Sequence, residues 1–302
     1  MSALNNMNES MENFKQFETV RHGEKRGEEL SEVGIEQAKE KAKELLGEIK
    51  ASPDGSVFYA MSSNVGRAVE TRDVIETELK NLAQEEQGIE FISIQDVEKI
   101  KQIKGDKSKK YIITDIQPST ALGFNERTPS LPAFLKFKKT YKNNEDLIGE
   151  TWAAKPEELE SLKEKIRQEI PDLDVSEINP KEFEETPEEA ALKYIRLMRR
   201  MAEITEKYFP DHPWKGLQIG HNLSADFAAI AMLGKDISVE SVENLGGKFR
   251  QFLESAHFEI KEGKIVARYR GQEAEQEKDL DKIIEDLEKA SEERKKGWGV
   301  TF

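Results

Sequence analysis

The chain has 302 residues, of which 36% are hydrophobic and 35% are charged, and its formal net charge is −14. This length suits one large domain or two small ones, and the negative charge disfavours nucleic acid and anionic lipid as partners. The absence of cysteine excludes disulfides, thiolate metal sites and cysteine nucleophiles. No apolar run approaches the roughly 20 residues of a membrane span, and the N-terminus lacks a signal-peptide pattern, so we expect a cytoplasmic protein.

The first third of the chain alternates short apolar runs with amphipathic segments. Residues 1–13 are predicted to be a disordered tail, and an apolar stretch at 17–20 predicts a strand that ends at Arg21-His22-Gly23. The apolar residues of segment 30–49 recur at three- and four-residue steps, as on one face of a helix. The sequence also predicts a buried strand at 57–61 and a further strand at 89–94, with a helix between them that begins after Ser62, Ser63 and Asn64.

The middle of the chain is less regular, and we predict that residues 96–180 form an insertion that lies over the sheet. It contains a short apolar run at 111–113 and helical patterns at 133–142 and 156–170. Further along, the sequence predicts a capped helix from Thr186, a strand at 217–220, a β-hairpin around Glu262-Gly263 and a charged peripheral helix in residues 273–302. The predicted domain therefore spans residues 14–272.

Strands that alternate with helices predict an α/β fold with a largely parallel sheet. Ligands of such sheets bind beyond the carboxyl ends of the strands. His22 and His221 both follow predicted strand ends, and Ser62 and Ser63 follow a third, with Arg67 one helical turn further on. We therefore expect these side chains to converge on one crevice.

Imidazoles and guanidiniums in one crevice are suited to phosphoryl transfer. A neutral imidazole is a competent nucleophile near neutral pH, and the planar fork of arginine matches the geometry of a phosphate. Each residue alone also has a structural interpretation: Arg21 as a surface residue, Arg67 as a salt-bridged helix residue, and His221 as a hydrogen-bonded core residue. His212 and His257 lack such a context, and we predict that both are structural.

Four segments together resemble the histidine phosphatase superfamily, whose fold is that of phosphoglycerate mutase. They are VRHGE at residues 20–24, LSEVGIEQA at 30–38, SSNVGRAVET at 62–71 and IGHN at 219–222. Their order and spacing are similar to those of the family. The resemblance implies a three-layer αβα sandwich with a mostly parallel central sheet, interrupted here by the irregular and helical insertion.

The resemblance also implies roles for individual residues. His22 would attack phosphorus and become phosphohistidine, while Arg21, Arg67 and His221 would surround the phosphate. Asn222 would orient His221 and assist in binding the phosphate. Neither a metal nor another cofactor is expected.

The general acid is implied by a further segment. Asn125-Glu126-Arg127 matches the triplet that carries the acid in the mutase branch, which makes Glu126 the candidate that protonates the leaving oxygen. A structural interpretation, in which Glu126 simply pairs with Arg127, remains open, and Asp115 and Glu150 are alternative acids.

Two departures from the family bear on the reaction. Lys25-Arg26-Gly27 follows Glu24 where mutases have Ser-x-x-Asn, and the Tyr-Gly pair expected after Arg127 is missing. Because those residues hold phosphoglycerate in mutases, their absence favours hydrolysis of a phosphomonoester. The substrate would be a small phosphorylated molecule or a phosphoprotein. Phosphoglycerate mutase activity, and phosphate binding without turnover, are the alternatives.

Overall fold

Strands and helices alternate along the chain. The structure is a computed structural model that describes residues 14–27, 29–122, 131–141, 144–221, 223–245 and 252–299. The predicted tail, residues 1–13, lies outside the described residues. The strands are β1 (Lys15–Arg21), β2 (Lys25–Arg26), β3 (Glu29–Leu30), β4 (Val57–Ser62), β5 (Ile89–Ser93), β6 (Lys110–Thr114), β7 (Trp214–Gly220), β8 (Ser255–Lys261), β9 (Lys264–Tyr269) and β10 (Gln272–Gln276). The helices are α1 (Glu32–Ala51), α2 (Gly66–Leu82), α3 (Val97–Ile103), α4 (Leu131–Thr140), α5 (Glu145–Ala153), α6 (Leu159–Glu169), α7 (Pro187–Tyr208), α8 (Ser224–Met232), α9 (Val239–Asn244) and α10 (Leu280–Gly297).

Eight of the strands form one sheet in the order β10-β9-β8-β1-β7-β4-β6-β5. Neighbouring strands from β1 to β5 in this order are parallel, whereas β8, β9 and β10 add an antiparallel edge. The α/β fold with a mostly parallel central sheet that the sequence predicts is therefore confirmed. The predicted hairpin around Glu262-Gly263 is the β8–β9 pair.

Helices cover both faces of the sheet, because side chains of each strand alternate between two hydrophobic clusters. In β4, Phe58 and Ala60 face α1 and α2, while Tyr59 and Met61 lie in the larger cluster with α7 and α8. The predicted periodicity of α1 is borne out, since its recurring apolar residues are buried. Burial of each leucine or isoleucine of this face stabilises the fold by about 1.5–3 kcal/mol. The result is the expected three-layer αβα arrangement.

The segment predicted to be an insertion mixes sheet and helix. Residues 96–180 contain β6, an interior strand between β4 and β5, and also α4, α5 and α6, whose buried residues join the same cluster as α7. The helices α4 and α6 lie near the two predicted helical patterns, with a single 3₁₀ turn, Pro156–Glu158, before α6. The helices α3 and α5 were not predicted. The boundaries of the domain, of the insertion and of the C-terminal segment stay predictions.

The C-terminal helix α10 is held against α7 by a buried ion pair. The guanidinium of Arg294 donates to both carboxylate oxygens of Glu188 and to the carbonyls of Ala153, Ala154 and Ile237. Glu188 belongs to the first turn of α7, whose predicted capping box at Thr186 is present. Among the helices that the structure describes, none has the length and apolar character needed to cross a membrane.

Candidate active site

The carboxyl ends of β1, β7 and β4 lie side by side at the centre of the sheet. The register pairs Arg21 with Gly220 and Ser62 with Ile219. Beyond these pairs the backbone ladder continues, since the His22 N–H donates to the Gly220 carbonyl at 3.1 Å and the Ser63 N–H to the Ile219 carbonyl at 2.8 Å. The residues that follow the three strands are therefore brought together, as the sequence predicts.

His22 is buried and its two ring nitrogens have different partners. Nδ1 lies 2.7 Å from the Gly23 carbonyl oxygen, and Nε2 lies 2.8 Å from Nε of Arg67. A carbonyl only accepts and a guanidinium only donates, so Nδ1 carries the proton and Nε2 presents its lone pair. Burial lowers the pKa of His22 to about 3, with the positive charges of Arg67 and Arg21 acting in the same direction and the bond to Gly23 opposing them. The imidazole is thus neutral near pH 7.

His221 completes the pair from the end of β7. Its ring centroid lies 5.0 Å from that of His22, with 62° between the two planes. Nδ1 lies 3.3 Å from Nη2 of Arg67, and Nε2 lies 3.1 Å from the hydroxyl of Ser63. Because Arg67 must donate to Nδ1, Nε2 carries the proton and donates to Ser63. Burial lowers the pKa of His221 well below its usual range, helped by His22 and Arg67.

Arg67 joins the two imidazoles and is itself held by the first turns of α2. The Thr71 hydroxyl donates to the Arg67 carbonyl at 2.7 Å and accepts from the Gly23 N–H at 3.1 Å. One hydroxyl thereby links the helix that carries Arg67 to the loop that carries His22. Ser63 and Thr71 are part of the sequence motif, but sequence reasoning assigned neither of them a role.

The loop after His22 packs so closely against the start of α1 that only glycine fits at positions 23 and 34. A Cβ on Gly34 would lie 2.0 Å from the Glu24 carbonyl oxygen, and one on Gly23 would lie 2.8 Å from the Gly34 oxygen. Ser31 caps α1, and the Glu24 N–H donates to the side chain of Gln37 at 2.9 Å. The motif residues of segment 30–38 therefore position the His22 loop.

Arg21 is covered by an aromatic ring that the sequence analysis missed. Its guanidinium carbon lies 4.3 Å from the ring centroid of Phe252, and that ring is 5.8 Å from the imidazole of His22. The Leu253 N–H donates to the Arg21 carbonyl at 3.1 Å, which ties the two segments together. No local pattern marks Phe252, because it lies in a loop more than 200 positions after Arg21 in the sequence. The charges of Arg21 and Lys25 both lower the pKa of His22 and of His221.

The other predicted site residues are distributed as follows. Glu126 and Asn222 lie outside the described residues. Of the alternative acids, Glu150 is buried with both oxygens 2.8 Å from Nζ of Lys165, and Asp115 is exposed with a φ of 61°. In the part of the chain that the structure describes, no group of three or more histidine or acidic residues could hold a metal ion.

The two remaining histidines have structural surroundings. His212 is buried between two carbonyl oxygens, 2.5 Å from that of Gly55 and 3.2 Å from that of Lys104. His257 lies in β8, paired with Glu18 of β1, and burial lowers its pKa. Both sets of contacts agree with the prediction that these two histidines are structural.

Solved structures that match the chain include two phosphatases and a phosphoglycerate mutase. They include an Entamoeba histolytica phosphoserine phosphatase variant in complex with phosphoserine (12% identity, 83% of this chain and 94% of the other, TM-score 0.40). A mycobacterial glucosyl-3-phosphoglycerate phosphatase matches at 12% identity, covering 87% and 96% with a TM-score of 0.39. A Plasmodium falciparum phosphoglycerate mutase matches at 15% identity, covering 87% and 97% with a TM-score of 0.32.

Other comparisons give no match: neither a protein-family model nor a curated protein matches the chain. The structural similarities have TM-scores below 0.5, so they carry no argument about activity. What the site can do depends on its own side chains.

Proposed function

We propose that this protein hydrolyses phosphomonoesters through a phosphohistidine intermediate on His22. One observation carries the proposal: the guanidinium of Arg67 contacts Nε2 of His22 and Nδ1 of His221 at the same time. Two neutral imidazoles and a cation therefore meet at one point beyond the carboxyl ends of the strands, which is where ligands of such sheets bind. A tetrahedral anion is the ligand that this arrangement suits best.

In the first step, the lone pair on Nε2 of His22 attacks phosphorus opposite the ester oxygen. The N–P bond forms as the P–O bond breaks, and the alcohol leaves after taking a proton from the general acid, for which we propose Glu126. Arg67, Arg21 and His221 stabilise the charge on the three equatorial oxygens. The bond from Nδ1 to the Gly23 carbonyl supports the positive charge that develops on the ring during the attack.

In the second step, water attacks the phosphohistidine and gives a proton to the carboxylate that lost one. The N–P bond breaks, inorganic phosphate leaves, and His22 returns to its neutral form. Burial favours this cycle because a nucleophile whose pKa is about 3 remains deprotonated throughout the neutral range. We propose a small phosphorylated molecule or a phosphoprotein as the substrate, and a cytoplasmic location.

The test is turnover of p-nitrophenyl phosphate by the native protein and by the His22→Ala variant. We expect His22→Ala to lose activity by at least about 10⁴-fold, as the loss of a nucleophile does in other covalent mechanisms. A His257→Ala variant is the matched control, since it removes an imidazole from β8, and should retain activity. EDTA should leave the native enzyme unaffected.

Three results would contradict the proposal in different ways. Activity retained in His22→Ala would exclude the phosphohistidine. Isomerisation of 3-phosphoglycerate faster than hydrolysis would make the protein a mutase. Binding of inorganic phosphate by calorimetry without hydrolysis of any ester would leave a binding protein. Rapid quenching in alkali followed by peptide mapping should place the phosphoryl group on His22.

A further inference from the structure

The turn that follows His221 has an unfavourable backbone conformation. Leu223 has φ 66° and ψ −75°, close to the γ-turn of positive φ that is rare for residues with a side chain. Its side chain is buried, with 1% exposure. Such strained residues persist only when the surrounding structure holds them. The contacts around Leu223 therefore decide whether this backbone conformation is kept.

Two buried side chains hold the turn from outside the phosphate site. The N–H of Leu223 donates to Oδ2 of Asp226 at 3.2 Å, and the hydroxyl of Tyr269 donates to Oδ1 of the same carboxylate at 2.6 Å. Asp226 belongs to the first turn of α8, and Tyr269 is the last residue of β9. Both are buried. This chain of two hydrogen bonds connects the antiparallel edge of the sheet with the turn two residues after His221.

The residue after Tyr269 anchors the other wall of the site. The guanidinium of Arg270 donates to both carboxylate oxygens of Glu254, at 2.6 and 2.9 Å, and to the Leu245 carbonyl at 3.0 Å. Glu254 lies two positions after Phe252, whose ring covers Arg21. The end of β9 thus contacts both segments that flank the phosphate site.

We propose that Tyr269 and Asp226 are positioning residues for His221 in the reaction. They keep Leu223 in its strained conformation, which holds the imidazole of His221 where Nδ1 accepts from Arg67. Neither residue touches the reacting atoms, so both act through the backbone turn. This inference rests on the proposed function, because it concerns the same phosphate site.

The test compares Tyr269→Phe with Asp226→Ala and with Tyr141→Phe. Tyr269→Phe removes one hydrogen bond without changing shape, and we expect kcat to fall about 10- to 100-fold with little change in KM, as misplacement of a catalytic group does. Asp226→Ala removes the acceptor of both hydrogen bonds, so its kcat should fall at least as far as that of Tyr269→Phe.

Tyr141→Phe is the matched control. Tyr141 is a buried tyrosine whose hydroxyl lies 3.0 Å from that of Thr151, in the same hydrophobic cluster as Tyr269. A loss of kcat in Tyr141→Phe equal to that in Tyr269→Phe would overturn the proposal, as would full activity in Asp226→Ala.

A measurement that needs no turnover separates this proposal from the proposed function. Nitrogen-15 chemical shifts of the His221 ring should change in Tyr269→Phe and in Asp226→Ala, and remain those of the native protein in Tyr141→Phe. Unchanged shifts in Tyr269→Phe would overturn the positioning role even if the enzyme is a phosphatase. Changed shifts in a protein without any hydrolytic activity would support the positioning role and contradict the proposed function.

Discussion

Strands β1 and β7 carry two clusters of ionisable side chains that differ in how their charges are arranged. In the interior, Glu18 of β1 lies between Nζ of Lys41 at 2.5 Å and Nζ of Lys215 at 2.7 Å. At the strand ends, four and six positions further along β1 and β7, His22 and His221 share the guanidinium of Arg67. We call these groups the interior cluster (Glu18, Lys41 and Lys215) and the strand-end cluster (His22, His221 and Arg67).

The pKa values show what the difference means. Burial alone would raise the pKa of Glu18, yet Lys215 and Lys41 lower it to about 2. Burial would lower the pKa of Lys215, yet Glu18 and Glu48 raise it. In the strand-end cluster, burial and the neighbouring positive charges act together and lower the pKa of His22 to about 3. In the interior cluster each buried charge thus has an opposite charge beside it, whereas the strand-end cluster combines two neutral bases with a cation, which suits an incoming anion.

The largest expected effect separates stability from activity. Glu18→Gln leaves two buried lysines without their shared carboxylate, so we expect the free energy of unfolding to fall by about 3–5 kcal/mol. Turnover of p-nitrophenyl phosphate, which the proposed function requires, should stay within about threefold in the remaining folded protein, because the interior cluster lies apart from the strand-end cluster. Urea denaturation and p-nitrophenyl phosphate turnover measure the two quantities.

Glu44→Gln is the matched control for this substitution. Glu44 also pairs with Lys41, at 3.0 Å, but its side chain is 57% exposed. Such exposed pairs contribute at most about 1 kcal/mol. A loss of activity in Glu18→Gln comparable to that of a site variant would mean that the interior cluster is part of the catalytic machinery.

The next effect concerns the shared guanidinium. Arg67→Lys keeps the charge, but one ammonium cannot reproduce the planar fork that reaches both imidazoles. We expect kcat/KM to fall by about 10²- to 10³-fold, as the loss of one donor to a developing oxyanion does, with little loss of stability. Steady-state kinetics and thermal unfolding are the measurements.

The control lies on the same helix. Arg72 is also largely buried, and it donates to the Ile116 carbonyl at 2.8 Å and to Asp73. Arg72→Lys should leave kcat/KM within about threefold. Equal losses of kcat/KM in Arg67→Lys and Arg72→Lys would mean that the effect is not specific to Arg67. The proposed contact of Arg67 with the substrate would then be contradicted.

How far the sequence predicts this molecule depends on how local each interaction is. Most of the strands and helices, and the positions of His22, His221 and Arg67, follow from short patterns, because strand ends and helix turns are properties of neighbouring residues. The short elements α3, α5, α9 and β10 were not predicted. The parallel sheet then brings the strand ends together. Gly34 is also marked by a local pattern, since it belongs to the motif at residues 30–38 that follows His22.

Contacts between distant segments could not be predicted in this way. Phe252 over Arg21, and Tyr269 with Asp226, join segments that only the folded sheet brings together, and loop residues carry no periodicity that marks them. Glu18 and Lys215 look like interruptions of apolar strands, and their register becomes evident only when β1 and β7 pair. The general acid proposed from a motif, Glu126, stays a prediction because it lies outside the described residues.

The smallest expected effect is a pH dependence of the free energy of unfolding that comes from the strand-end cluster and not from the interior cluster. The pKa of His22 is about 3 in the folded protein, whereas its ordinary value is 6.5. Between these two pH values the unfolded chain therefore binds a proton at His22 that the folded protein does not bind. Stability contributed by neutral His22 is therefore complete above pH 6.5 and is lost progressively down to about pH 3. Between pH 6.5 and 5, we expect the native protein to lose about 1–2 kcal/mol relative to His22→Asn.

The difference between native protein and variant is the right measure, because other groups titrate in this range. Burial raises the pKa of Glu76 to about 7, which contributes pH dependence of the opposite sign in both proteins and cancels on subtraction. The interior cluster adds little above pH 5, since the pKa of Glu18 is about 2 in the folded state and 4.5 ordinarily. Urea denaturation at several pH values between 5 and 7 measures the difference. A difference that does not vary with pH would mean that His22 titrates alike in the folded and unfolded states, and that its lone pair is not protected by burial at all.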